Sequence, residues 1–191
     1  MTATLGWSVE LLERALGYTR ARLARVDDVL LDRLTPCAGW TLGDLLAHME
    51  DALDAFTEAA GGEVELHGGC PAEGRVEGRV AAIQQKACAL LGAWGGPSPG
   101  DVVIAASSGG LDLMSTVLVS TAALEVTVHG WDVGRATGES AGIPAALARD
   151  LLPVAQRVVR PEDRGVRFAA ARAVAADAPY DVRLLAHVGR T

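Results

Sequence analysis

Hydrophobic residues recur at helical spacing along most of the chain. Over residues 8–26 leucine and valine repeat at whole helical turns, whereas the arginines lie mostly off that stripe. This pattern predicts an amphipathic helix. Similar patterns predict further helices over about residues 42–56, 76–94, 113–136 and 144–159, and a short closing element over residues 179–188.

Polar and small residues separate these segments. Thr41 is placed to cap the second helix, with Asp44 three residues later to complete a capping box. The glycine-rich stretch 61–74 predicts an exposed connection. Residues 101–113 contain a β-branched run followed by Ser-Ser-Gly-Gly, which predicts a small hairpin.

The segment 113–136 is the most hydrophobic part of the chain. Its β-branched residues would suit a strand, but its length favours a helix. A helix that is apolar on nearly all sides is expected at the centre of a bundle. The chain is 50% hydrophobic and 21% charged, so a folded core is expected. We therefore predict one all-α domain over residues 1–191.

Charge and composition narrow the class of partner and the compartment. The net charge is −7 and no basic cluster stands out, so nucleic acid is not an expected partner. The three cysteines lack paired spacing, which favours small buried thiols in a reducing cytoplasm. No signal peptide is predicted, and the longest apolar stretch is too short to span a membrane. Whether the chain forms a homodimer is left open.

Three ionisable residues interrupt the apolar face of the 113–136 helix. On a regular helix His129 and Asp132 lie within about 40° of Glu125. Burying a carboxylate costs several kcal/mol unless it is paired or bound to metal. Glu125 and His129, four residues apart, are therefore candidate ligands of one ion. The alternative is an ordinary hydrogen-bonded pair at the surface.

His48 is the candidate third ligand, because it lies at the edge of the apolar stripe of the second helix. Two histidines and one carboxylate leave a coordination position free for water or substrate, as in catalytic sites. The alternative for His48 is a histidine at the core edge that is hydrogen-bonded to a carbonyl.

Other residues near these positions have two interpretations each. Asp132 either orients a ligand histidine or pairs with Arg135 at the helix end. Arg135 is also a candidate for steering an anionic substrate. Trp40 and Trp131 either line a pocket or belong to the core.

Two segments carry a family resemblance: GWTLGDLLAH over residues 39–48 and EVTVHGWDVGRATG over residues 125–138. They resemble the mycothiol-dependent maleylpyruvate isomerase-like family within the DinB superfamily, which is typical of actinobacteria. The tail, residues 168–190, is also similar to the ending of that family. The resemblance spans nearly the whole chain and is weakest over residues 61–110.

The resemblance implies a DinB-like four-helix bundle that holds a divalent ion, usually zinc, with His48, Glu125 and His129. It also implies that the ion binds a low-molecular-weight thiol such as mycothiol as thiolate. The fuller isomerases carry a separate carboxy-terminal domain, whereas this chain ends soon after the bundle. Maleylpyruvate itself is therefore not the expected substrate.

The predicted function is a metal-dependent thiol S-transferase or isomerase that acts on a small electrophilic substrate. Asp132 would support the ligands, and nickel or iron remains an alternative to zinc. Two histidines and a carboxylate also suit the ferrous iron of oxygenases. Further alternatives are a non-catalytic bundle that binds a small ligand or a metal, and a bundle recruited to another biosynthetic reaction.

Overall fold

The helices of the protein lie close to their predicted positions. The structure is a computed structural model that describes residues 4–61, 76–96, 102–104, 111–165 and 167–190. The helices are α1 (Leu5–Leu23), α2 (Leu42–Ala59), α3 (Val76–Gly95), α4 (Ser115–Ala136), α5 (Ala145–Val158) and α6 (Tyr180–His187). Helix α1 begins three residues earlier than predicted, because the Thr4 side chain accepts a hydrogen bond from Trp7 N, and α2 ends three residues later than predicted.

The start of α2 has the predicted capping box. Thr41 N donates to Asp44 Oδ2 at 3.0 Å, and Asp44 N donates to Thr41 Oγ1 at 3.2 Å. These bonds satisfy backbone donors that a helix start leaves unpaired. They also fix the position of the helix that carries His48.

Helix α4 lies at the centre of the fold and is buried on nearly all sides. It packs along α1 and against α2, while α3 packs against both α2 and α1. These helices form the four-helix bundle. Helix α5 covers α4, and α6 packs on α5. The predicted four-helix bundle with additional helical structure is therefore confirmed.

The contact between α1 and α4 is unusually close. A Cβ atom at Gly130 would lie 2.3 Å from Thr19 Oγ1 and 3.2 Å from Thr19 Cα. Thr19 Oγ1 also donates a hydrogen bond to Val126 O at 2.8 Å. Glycine at position 130 therefore lets the two helices approach closely. This contact also fixes which face of α4 packs against α1 and which face points away from it.

A two-stranded antiparallel hairpin precedes α4, as predicted. Strand β1 (Val102–Ile104) pairs with β2 (Leu111–Leu113), with Val102 opposite Leu113. The predicted turn between the strands and nearly all of the predicted 61–74 connection lie outside the described residues. Within the part of the chain that the structure describes, no helix is long and apolar enough to cross a bilayer.

Candidate metal centre

Helix α4 places Glu125, His129 and Asp132 on one face, as the helical spacing predicts. His129 Nε2 lies 3.0 Å from Glu125 Oε1, and His129 Nδ1 lies 3.1 Å from Asp132 Oδ2. Asp132 has no exposed side-chain surface, and the His129 side chain is 9% exposed. The imidazole is thus held between two carboxylates, one at each ring nitrogen.

Helix α2 brings His48 to the same carboxylate from the other side. His48 Nε2 lies 3.0 Å from Glu125 Oε1, the oxygen that His129 also approaches. The candidate donor atoms of the three residues lie within 4.8 Å of one another. The structure therefore brings together the three residues that the sequence predicted as candidate ligands, although His48 and Glu125 are 77 residues apart in the sequence.

Trp40 packs against both histidines. Its ring centroid lies 4.8 Å from that of His48 and 6.3 Å from that of His129. A turn in which Gly39 has a φ of 82° precedes α2 and carries Trp40. Trp40 therefore lines the site, whereas Trp131 is buried in the core.

The electrostatics of the cluster favour positive charge at its centre. Burial would raise the pKa of Glu125, but the charge of His129 and hydrogen bonds from both imidazoles lower it far below the ordinary value. Burial would lower the pKa of His129, yet Glu125 and Asp132 raise it well above its ordinary value. Both shifts stabilise a cation next to the Glu125 carboxylate.

Arg190 completes the other side of His129, and the sequence patterns did not identify it as a site residue. Its Nε and Nη2 atoms donate to the two oxygens of Asp132, each at 2.9 Å. Burial would raise the pKa of Asp132, but hydrogen bonds with His129 and Arg190 lower it. Asp132 therefore orients His129 and pairs with Arg190, and not with Arg135 as the alternative interpretation supposed.

Gly189 directs Arg190 inward. Its φ is 77°, and a Cβ there would lie 2.8 Å from Ala169 Cβ and O. Arg190 N donates to Leu185 O at 2.8 Å, which closes the end of α6. A glycine after a predicted closing helix was the one signal in the sequence that the chain turns at this point.

Cys37 is a second site residue that the sequence did not reveal. Its Sγ lies 3.9 Å from His129 Nδ1, 3.5 Å from Asp132 Oδ2 and 2.8 Å from Arg190 Nη2. Cys37, His129 and Asp132 thus form a second group with metal-ligand atoms.

The prediction of small buried thiols is wrong for Cys88, which is exposed. Cys70 lies outside the described residues.

Arg135 lies away from these groups. It is exposed, its Nη1 donates to Glu139 O at 3.1 Å, and its guanidinium lies 5.7 Å from the centroid of the Trp131 ring. No contact described for Arg135 reaches His48, Glu125 or His129. Its role in steering a substrate stays a prediction.

A cavity of about 310 Å³ adjoins the cluster. It lies between α1, α2, α3 and α4, and Glu125 and His129 form part of its wall. Pockets for small ligands in proteins begin at about this size. The cluster is therefore accessible to a small molecule from inside the bundle.

The donor set fits a divalent ion. Two imidazole nitrogens and one carboxylate oxygen converge, and Asp132 accepts from the other nitrogen of His129, as carboxylates do behind metal-bound histidines. Arg190 neutralises Asp132, whereas no described arginine or lysine contacts Glu125. The group around Glu125 thus has the ligands that a divalent ion needs and, among the described residues, no guanidinium or ammonium group in the ion's place.

The fold and the cluster together define a class: helical-bundle proteins with two histidines and one glutamate gathered between their helices. The family described as the mycothiol maleylpyruvate isomerase N-terminal domain matches residues 12–134, and the chain belongs to this family. The matched range includes His48, Glu125, His129 and Asp132. It ends before Arg135 and Arg190.

Two curated proteins and two solved structures are similar to the chain. The uncharacterized proteins Rv0738 and MT0763 of Mycobacterium tuberculosis are each 29% identical over 181 residues, covering 94% of this chain and 95% of their own length. A crystal structure of the mycothiol-dependent maleylpyruvate isomerase matches with a TM-score of 0.60 at 20% identity, covering 78% of this chain and 68% of that chain. A histidine-to-alanine mutant of that enzyme matches with the same score at 18% identity. These structures confirm the fold.

Proposed function

We propose that the chain binds one divalent ion, with zinc favoured, through His48, Glu125 and His129. One observation carries this proposal: two imidazole Nε2 atoms from different helices lie 3.0 Å from the same Glu125 oxygen. One carboxylate oxygen can accept two hydrogen bonds, so the support for an ion is the kind and number of the converging atoms. Two imidazole nitrogens and one carboxylate oxygen lie within 4.8 Å of one another, as the ligands of one ion must. Nickel and iron remain alternatives to zinc.

The surrounding residues would hold the ligands in place. Asp132 accepts the Nδ1 hydrogen of His129, which turns the Nε2 lone pair toward Glu125. Arg190 fixes both oxygens of Asp132. Trp40 packs against both imidazoles. His48, which is 35% exposed, faces the more open side.

We further propose that the protein is a metal-dependent thiol S-transferase or isomerase that uses a low-molecular-weight thiol such as mycothiol. A divalent ion in this place would deprotonate a bound thiol at neutral pH. The charges of the site support this, since Asp132 and Arg190 cancel each other. Glu125 neutralises only half of a divalent charge, and one thiolate balances the remainder. Membership in the mycothiol maleylpyruvate isomerase N-terminal domain family supports the choice of thiol.

The test is thiol conjugation by the zinc-loaded protein. Purified protein is given mycothiol and a panel of small electrophiles, and the product is followed with and without prior removal of zinc. We expect conjugation that depends on zinc and is lost in Glu125→Gln. The matched control Glu10→Gln, an exposed position on α1, should keep full activity. Absence of any zinc-dependent product across the panel would overturn the enzymatic proposal.

A non-catalytic ligand-binding bundle is the second candidate, and the cavity beside the cluster favours it. Tight binding of zinc and of a small molecule without turnover would support this alternative. It would leave the assignment of the metal ligands intact and remove only the activity.

A further inference from the structure

The cavity beside Glu125 has a mouth and an inner wall with different character. The mouth lies between α1 and α3, where the lining residues Glu13, Gly17, Arg20 and Cys88 are exposed. The inner end reaches Glu125 and His129. A molecule entering between α1 and α3 would therefore meet the candidate ion site at the far end.

The inner wall is nonpolar. Its buried nonpolar side chains come from all four bundle helices and are Leu23, Met49, Leu53, Ile83 and Val126. Buried Thr19 also lines it, and its hydroxyl donates to Val126 O. Glu13 and Arg20, at the mouth, carry opposite charges. Among the described residues that line the inner part, only Glu125 and His129 are ionisable. An anionic compound would thus find no arginine or lysine there to pair with.

We infer that this cavity binds the nonpolar part of a small uncharged molecule, whose polar end lies toward Glu125 and His129. The inference rests on the proposed function in one respect, namely that this molecule is the electrophilic substrate. Burial of apolar ligand surface against these side chains supplies the affinity. In the metal-free protein no arginine or lysine lies among the described residues of the inner lining, and both ring nitrogens of His129 already face carboxylates. An anionic compound therefore has no free partner there, and an unpaired charge is costly to bury.

The size of the cavity limits the ligand. An engineered cavity of ~150 Å³ lined by leucine, isoleucine and phenylalanine holds one benzene molecule. The cavity here, at about 310 Å³, is roughly twice that volume. It therefore has room for an aromatic ring with a short side chain or for two fused rings.

Gly17 offers a way to fill the cavity without disturbing the fold. It lines the cavity, and a Cβ built on it meets no atom within 4 Å. Replacing glycine by leucine inside a helix also improves helix propensity. Gly17→Leu should therefore fold at least as well as the wild type. Its leucine side chain should fill part of the cavity that a ligand would occupy.

The experiment uses 1-aminonaphthalene, an uncharged probe of two fused rings whose fluorescence depends on the polarity of its surroundings, and metal-free full-length protein. We expect saturable binding of one probe molecule per chain. Gly17→Leu should weaken this binding at least tenfold. Ala87→Phe, on the α3 wall, should do the same, which guards against a leucine that turns toward solvent. Thermal unfolding confirms that each variant is folded.

Gly92→Leu is the matched control. Gly92 also lies in a helix, a Cβ on it also meets no atom within 4 Å, and it does not line the cavity. It should bind the probe like the wild type. No saturable binding by the wild type, or wild-type binding by both Gly17→Leu and Ala87→Phe, would overturn the inference.

A pair of competitors tests the preference for an uncharged ligand. Cinnamyl alcohol and cinnamate share one carbon skeleton and differ in charge. We expect cinnamyl alcohol to displace the probe at least tenfold more effectively, and equal displacement would contradict the inference. Zinc affinity, measured in the same variants, should not change. If the protein binds the probe but not zinc, only the proposed function is contradicted. If it binds zinc but not the probe, only the assignment of the cavity is contradicted.

Discussion

His129 belongs to two clusters, one at each ring nitrogen, and the two differ in how their charge is balanced. At Nε2 lie Glu125 and His48, both partly exposed and beside the cavity. At Nδ1 lie Asp132 and Cys37, closed off by Arg190. Both clusters contain ligand types that bind metal ions. Among the described residues, only the second contains an arginine or lysine.

The difference indicates where an ion belongs. Arg190 pairs with both oxygens of Asp132 and with the Cys37 sulfur, so its guanidinium occupies the place that a metal would need. A bidentate guanidinium–carboxylate pair is a strong, geometrically defined contact. No described guanidinium or ammonium group contacts Glu125. Arg190 thus holds Asp132, and Asp132 orients His129 at its Nδ1 side. This supports placing the divalent ion at the Nε2 side, next to Glu125.

The largest effect is expected from Glu125→Gln, which removes a negative charge and an ion ligand together. Loss of a supporting partner typically costs about 10–100-fold in metal affinity, and loss of a ligand should cost more. We expect zinc binding to fall below detection in calorimetric titration. The exposed Glu10→Gln variant should bind as the wild type does. Retained binding in Glu125→Gln would place the ion elsewhere.

Arg190→Met should remove the cation from the cluster of Cys37, His129 and Asp132, so that this cluster can bind a metal ion. It leaves the buried Asp132 carboxylate without its cation, and breaking a buried ion pair costs about 3–5 kcal/mol of unfolding free energy. It should also free Cys37 and Asp132 to bind metal. Thiolate-to-cobalt absorption should then appear with cobalt in this variant and not in the wild type. Arg172→Met, at an exposed position, should change neither stability nor absorption.

Asp132→Asn should lower zinc affinity by about 10–100-fold, because His129 loses the carboxylate that orients it. The single variant also leaves Arg190 unpaired. The double variant Asp132→Asn/Arg190→Met removes that charge and should regain part of the lost stability. Its zinc affinity should remain lowered. Full recovery of zinc affinity in the double variant would show that Asp132 acts through stability alone.

Zinc binding should release about one proton at neutral pH, because ligands bind metal in their deprotonated forms. Burial would lower the pKa of His129, but Glu125 and Asp132 hold it well above its ordinary value. The metal-free protein therefore keeps this proton, and its stability should fall as the pH rises through the raised pKa. Calorimetry in buffers of different ionisation enthalpy counts the protons. Zinc binding without proton release would contradict this account of His129.

The sequence was sufficient to predict the features that depend on local pattern. The Thr41–Asp44 capping box, the hairpin near 101–113 and the central position of α4 all follow from spacing and hydrophobicity. Glu125, His129 and Asp132 share one face because four residues make about one helical turn. His48 could be proposed because the edge of an apolar stripe lies where a neighbouring helix packs.

Arg190 and Cys37 could not be predicted in the same way. Arg190 meets Asp132 from 58 residues away, and Cys37 lies 95 residues from Asp132. Their positions depend on how α6 packs on α5 and on the turn before α2, which no periodic pattern encodes. The cavity also could not be predicted from the sequence, because its volume depends on the spacing between α1 and α3.

X-ray absorption spectroscopy of the zinc-loaded protein, without added thiol, tests the central claim most directly. If the ion lies at His48, Glu125 and His129, its nearest neighbours are nitrogen and oxygen at roughly 2.0–2.2 Å. Two imidazole ligands should be resolved, and Cys37→Ser should leave the spectrum unchanged. A sulfur neighbour at about 2.3 Å that disappears in Cys37→Ser would place the ion in the other cluster and contradict the account.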